Sequence, residues 1–190
     1  MCTKKERMKH TVVAIDGGIV NVGVCVLTND GEGAVCTTYK ECIAEREPRT
    51  TAEVCAKTGA WVAANVDKLK MLRPGAHVVI ESVKRPKIQA VGISIAAVLA
   101  SLAASRGLAP PNIRFMHGAS KFAVTPECRA AVHALKGKKA YEQRKMLAEA
   151  TAKTLCVNQQ WCMPGSRDEC DAVLLAVKEW KDSFRGDLPK

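Results

Sequence analysis

At 190 residues, 47% hydrophobic and 25% charged, the chain has the size and apolar content of one globular domain with a buried core, and it shows no internal repeat or low-complexity segment. Twenty-nine Lys and Arg against nineteen Asp and Glu leave a net charge of +10, an excess suited to a polyanionic partner. None of the nine cysteines forms a C-x-x-C pair, and residues 1–10 carry charge but no apolar h-region, so reduced thiols in an intracellular compartment are expected.

A basic tail over 1–10 precedes a single domain expected over 11–183, with a C-terminal tail at 184–190. The β-branched run 12–15 ends on Asp16 and two glycines, and 22–27 resumes as a second strand, which predicts a hairpin. The turn Asn29-Asp30-Gly31 leads to a third strand near 34–39. From Thr50 the apolar period changes. Val54, Trp61, Val62, Val66, Leu69 and Leu72 share one helical face, and Pro74-Gly75 ends that helix. A short strand at 77–80 runs into Glu81, and Pro86 opens an Ala-rich helix to about 106. Its apolar stretch, 91–104, is read as too short to span a bilayer, so no membrane partner is expected. A fifth strand at 112–116 and helices at 139–156 and 167–181 complete the order. This order predicts an α/β fold: a mixed five-stranded sheet, antiparallel over strands 1–3 and parallel after them, flanked by helices.

Asp16 and Glu81 fall at strand ends, and Asp168 and Asp171 open the last helix. Their i, i+3 spacing puts the last two on one helical face, about 5–6 Å apart at Cβ, beside the apolar Ala172, Leu175 and Ala176. Any one of these acids alone reads equally well as a cap or a solvated charge, and Ser166-Arg167-Asp168 resembles a helix start. Clustered carboxylates repel, and a hard divalent cation such as Mg²⁺ is the usual remedy. Two such ions roughly 3.5–4 Å apart support in-line phosphodiester hydrolysis. The histidines at 10, 77, 117 and 133 are scattered and read as structural or solvated, and no Ser-His-Asp or Cys-His pairing suggests covalent catalysis.

Ile15-Asp16-Gly17-Gly18-Ile19-Val20-Asn21-Val22-Gly23, an I-D-x-G-x-x-N-x-G pattern, together with Val79-Ile80-Glu81 and Asp168-Glu169-Cys170-Asp171-Ala172, resembles the RuvC-type Holliday junction resolvases. Asn21 and the segment 137–145 look most like the resolvases of poxviruses, other large DNA viruses and their mitochondrial relatives. The resemblance implies a ribonuclease H-like fold, a homodimer, Mg²⁺ or Mn²⁺ with two ions per site, and paired symmetric nicks across a four-way DNA junction. It also implies that Asp16, Glu81, Asp168 and Asp171 bind metal, and that a lysine ahead of the last acid pair assists. Lys145 is the favoured candidate over Lys138 and Lys139. Lys121 stands where bacterial members carry another basic residue. The histidine that some bacterial members place after the last acid pair is absent from Ala172-Val173-Leu174.

Positive charge concentrates between Arg114 and Lys153, where Lys121, Lys138, Lys139 and Arg144 are expected DNA contacts, and Lys84, Arg85 and Lys87 form a second patch. Tyr141 or Phe122 could wedge at a branch point or pack in the core. The Ala-rich helix is an expected dimer contact. Other readings stay open: another ribonuclease H-like nuclease acting on flaps, Y-junctions or RNA-DNA hybrids, a non-catalytic recombination accessory protein, or an actin-like kinase, for which a second Gly-rich loop is lacking. A viral, cytoplasmic setting or a nuclear or organellar one is expected, with no small-molecule cofactor beyond metal.

Overall fold

The computed structural model describes residues 10–29, 33–137, 140–184 and 188. Its five strands are β1 (His10–Gly17), β2 (Asn21–Asn29), β3 (Ala34–Cys42), β4 (Ala76–Ser82) and β5 (Asn112–His117), in the sheet order β3-β2-β1-β4-β5. β1, β2 and β3 are antiparallel neighbours, while β4 runs parallel to β1 and β5 parallel to β4. The five helices are α1 (Thr51–Asn65), α2 (Pro86–Ser105), α3 (Pro126–Ala134), α4 (Ala140–Gln159) and α5 (Arg167–Phe184), with a 3-10 turn at Ser120–Val124.

Successive side chains of a strand point to opposite faces, and here both faces are covered. Val13 and Ile15 of β1 pack with Val78 and Ile80 of β4 against α1 and α2. Val12 and Ala14 pack with Val79 of β4 against α4 and α5 on the other side. α5 is the helix most deeply set in that second layer, with Val173, Leu174, Leu175 and Val177 fully buried. Each such side chain contributes about 1.5–3 kcal/mol, enough to hold charged groups of the same helix in a buried position.

Three details differ from expectation. α1 stops at Asn65, whose side-chain amide donates to the Trp61 carbonyl (2.9 Å), and Lys70 adopts a left-handed φ of 57°. Val66, Leu69 and Leu72 are buried from turns and not from a helix, so the apolar period outlasts the helix. α3 and the 3-10 turn were not foreseen, although Thr125 caps α3 by accepting from the Cys128 N–H (3.1 Å) and Pro126 follows it. Finally, α2 is twenty residues long and is long and apolar enough to cross a bilayer by length and composition, so the argument from shortness fails. What α2 does here is bury Val91, Ile95 and Leu99 against the sheet and α1.

Eight cysteines lie among the described residues, all free, with Cys25, Cys36, Cys128, Cys156 and Cys170 buried and Cys42, Cys55 and Cys162 exposed.

Candidate active site

The pairing of Ile15 with Ile80 sets the two central strands in a register that makes the next residues, Asp16 and Glu81, neighbours at the carboxyl ends of β1 and β4. Both continue the alternation of Val12, Ala14 and Val79, so both carboxylates project on the face that α5 covers. In open α/β sheets the crevice beyond the carboxyl ends of parallel strands is the usual ligand site.

α5 delivers the other pair. Its start is a capping box: Ser166 Oγ accepts from the Glu169 N–H (3.3 Å) and donates to Glu169 Oε1 (2.9 Å), and Glu169 Oε2 accepts from the Gly165 N–H (3.2 Å). Asp168 falls between these two residues, half-buried at the cleft. Its main chain rests directly on β2 at Gly23, where a Cβ would overlap the Asp168 carbonyl. The last glycine of the Ile15–Gly23 motif is therefore a docking point for the helix that carries the acids. Gly118, after β5, does the same for Glu81, because a Cβ there would overlap Glu81 Oε1.

Two lysines complete the cluster. Lys121, only 4% exposed, donates from Nζ to Glu81 Oε1 (3.0 Å) and pairs with Asp171 Oδ2 at 2.7 Å. Lys145 on α4 donates to the same Asp171 oxygen. Asp171 is 1% exposed, and its other oxygen, Oδ1, is buried without a hydrogen-bond partner. Asp16, Glu81 and Asp171 thus face the ammonium groups of Lys121 and Lys145, and Asp168 lines the same cleft.

Burial and these neighbouring charges together set the proton affinities. Burial, and then the hydrogen bond and charge of neighbouring Glu81, hold the Asp16 carboxyl well above the usual range. Burial pushes Glu81 the same way, but the hydrogen bond from Asp16 and the Lys121 ammonium overcome it and hold Glu81 below its ordinary value. Burial disfavours the charged form of Lys121, yet the Asp16, Glu81 and Asp171 carboxylates outweigh it and raise its affinity for the proton. Lys145 is raised as well, Asp171 outweighing burial.

The cleft over this cluster has a volume of about 610 Å³. Asp16, Glu81 and Asp168 line it together with Lys84, Arg85, Arg144 and Lys145, and with His117 and Tyr141. Among the described residues no three acids close around one point, and Lys121 stands between Glu81 and Asp171. The donor set nevertheless suits a hard divalent cation: it is oxygen only, and one buried oxygen, Asp171 Oδ1, is unpartnered.

Several expected residues fall elsewhere. Lys121, expected as a surface phosphate contact, is a buried member of the acid cluster. Lys87 is turned away, donating to the Pro48 carbonyl (2.8 Å) and lying 3.5 Å from Glu47 Oε1. Lys138 and Lys139 lie outside the described residues. His117, passed over in sequence, reaches the cleft with Nδ1 accepting from the Ala119 N–H (3.2 Å). Its position at the carboxyl end of a parallel strand was the available signal.

A mixed sheet of this order with paired acids at the ends of its central strands defines a ribonuclease H-like fold. The comparison with solved structures agrees. The chain is similar to the Thermus thermophilus RuvC structure with a TM-score of 0.57 at 15% identity, over 96% of this chain and 100% of that one. A second structure, T. thermophilus RuvC in complex with Holliday junction substrate, matches at a TM-score of 0.52 and 15% identity with the same coverage. No family model matches the chain, and no curated protein matches it in sequence.

Proposed function

We propose that this protein is a Holliday junction resolvase: a metal-dependent endonuclease that cuts four-way DNA by paired symmetric nicks. One observation carries the reading. Asp16, Glu81 and Asp168 line a single cleft whose walls hold Lys84, Arg85, Arg144 and Lys145, on a fold similar to RuvC along nearly its whole length. Asp16, Glu81, Asp168 and Asp171 would hold Mg²⁺ or Mn²⁺, two ions per site. A divalent ion bound there supplies a water of lowered pKa and charge stabilisation for the leaving oxygen. Lys84, Arg85 and Arg144 hold and orient the phosphates on either side of the cut. Lys121 pairs with both Glu81 and Asp171, and Lys145 with Asp171, which holds these carboxylates in alignment.

Paired cuts need paired sites, which a two-fold axis provides. α2 and the edge strand β5 expose Ile93 and Phe115, at 63% and 48%, and we assign the homodimer contact to these two elements. Asn21 and the segment 137–145 favour the viral and mitochondrial branch of the class, acting at reducing intracellular replication sites.

The test is cleavage of a mobile four-way junction beside linear duplex and an RNA-DNA hybrid, with and without Mg²⁺. Symmetric nicks on the junction alone are expected. Asp168→Asn should lower the rate about 10³-fold or more while binding persists, since metal stabilisation is worth several kcal/mol. Cutting of the hybrid would move the assignment to another nuclease of this fold, and binding without any cutting to an accessory protein.

A further inference from the structure

A positively charged cleft attracts any nucleic acid, because phosphate contacts are blind to both sequence and branching. Selection of a branch requires a group that reads something a linear duplex lacks. A continuous duplex stacks each base on both faces, whereas at a branch point the terminal pair of an arm loses one stacking neighbour whenever the arms open.

The chain has eight Phe, Tyr and Trp side chains, all among the described residues. Trp61, Trp161, Trp180 and Phe122 are buried, and Tyr39 and Phe184 are half-buried against the two apolar layers. Phe115 is exposed on the edge strand, packed over Gly92 and away from the cleft. Tyr141 remains, 62% exposed and lining the cleft from the first turn of α4. Phe122 also lines the cleft but is buried, so among the described residues Tyr141 is the Phe, Tyr or Trp ring that stands open there.

Its placement relative to the acids is set by helix geometry. Lys145 lies four residues on, so the two side chains stand on one face of α4 with Cβ atoms about 5–6 Å apart. Lys145 reaches inward to Asp171. The ring therefore sits one turn farther out along the same face. Arg144 flanks it, with Nε held on the Ala140 carbonyl (3.0 Å). A base stacked on Tyr141 would lie over the same cleft that Asp16, Glu81 and Asp168 line.

We propose that Tyr141 is the branch-reading residue of this cleft, stacking on the base face left open at the junction centre and so registering the scissile phosphate over the acids. This rests on the resolvase reading and adds to it the residue that distinguishes a junction from a duplex.

The test measures the affinity of the full-length protein, without divalent ions, for a four-way junction and for a linear duplex of equal length, using wild type, Tyr141→Ala and Tyr141→Phe. A parallel series carries 2-aminopurine at the branch point. Stacking on an aromatic side chain predicts that Tyr141→Ala weakens junction binding about tenfold, leaves duplex binding unchanged and abolishes the 2-aminopurine response. Tyr141→Phe should match wild type in all three. The inference is overturned if Tyr141→Ala weakens both substrates alike, if it leaves the junction preference intact, or if Tyr141→Phe behaves as the alanine variant does. Wild type that binds the junction no better than the duplex overturns the resolvase reading as well, so the two failures are told apart.

Discussion

α5 carries a buried acid at each end, and the two are treated in opposite ways. Near its carboxyl end Glu179 is closed off completely: Oε1 accepts from His77 Nδ1 (3.0 Å) and Ser183 Oγ (2.5 Å), and Oε2 from Arg114 (3.0 Å). The rings of His10, Trp180 and Phe184 pack on one another, with the His10 and Phe184 centroids 4.0 Å apart, and Phe184 also meets the His77 ring. Near its amino end Asp171 is equally buried, yet one oxygen is crowded by two ammonium groups while the other has no partner. A satisfied buried acid is architecture. A buried acid left short of partners beside an open cleft is a site with capacity for something more.

The largest effect that would break this contrast is expected at Glu179. Glu179→Ala leaves His77 without its buried partner and Arg114 with Asp182 alone (3.4 Å), and should cost about 3 kcal/mol, roughly 6–12 °C in Tm for a chain of this size. Junction cleavage below the new Tm should persist. A loss of cleavage without a loss of stability would show that the quiet end of the helix belongs to the chemistry after all.

Metal should act only at the other end. Saturating Mg²⁺, at about a hundred times its dissociation constant, stabilises by about 2.7 kcal/mol, so calorimetry should show Tm rising several degrees in wild type. The same rise is expected in Glu179→Ala and none in Asp168→Asn. An unchanged shift in Asp168→Asn would remove that residue from the metal set.

The smallest effect concerns how the amino end is held. Ser166→Ala deletes one half of the capping box and should cost about 1 kcal/mol, a Tm change of 2–4 °C. Because Asp168 lies within that box, kcat should fall more than stability alone predicts, and a variant with normal kcat would mean that Gly23 positions the helix by itself.

Much of this arrangement could be read from residue order. Asp16 and Glu81 were visible because β-branched runs end on them, and the i, i+3 pair because helix periodicity places both on an apolar face. What escaped is what depends on burial. Lys121 looked like its basic neighbours until the 3-10 turn at Ser120–Val124 carried it between Glu81 and Asp171. Lys87 looked like Lys84 and Arg85 until the loop holding Glu47 and Pro48 drew it aside. α1 was read as too long because Val66, Leu69 and Leu72 keep a helical period in a segment that Asn65 and a left-handed Lys70 have already turned.

Gly23 leaves no room for even a methyl group where β2 meets the Asp168 carbonyl, and a Cβ at Gly118 would push on the Glu81 carboxylate, so the acids are closely fitted to the elements beneath them. The rim is under no such constraint: Lys84, Arg85, Tyr141 and Arg144 stand on the surface and touch little. Retargeting the scaffold toward flaps, bulges or other branched shapes should therefore be a matter of rewriting the rim, with the acids and their two glycines left as they are.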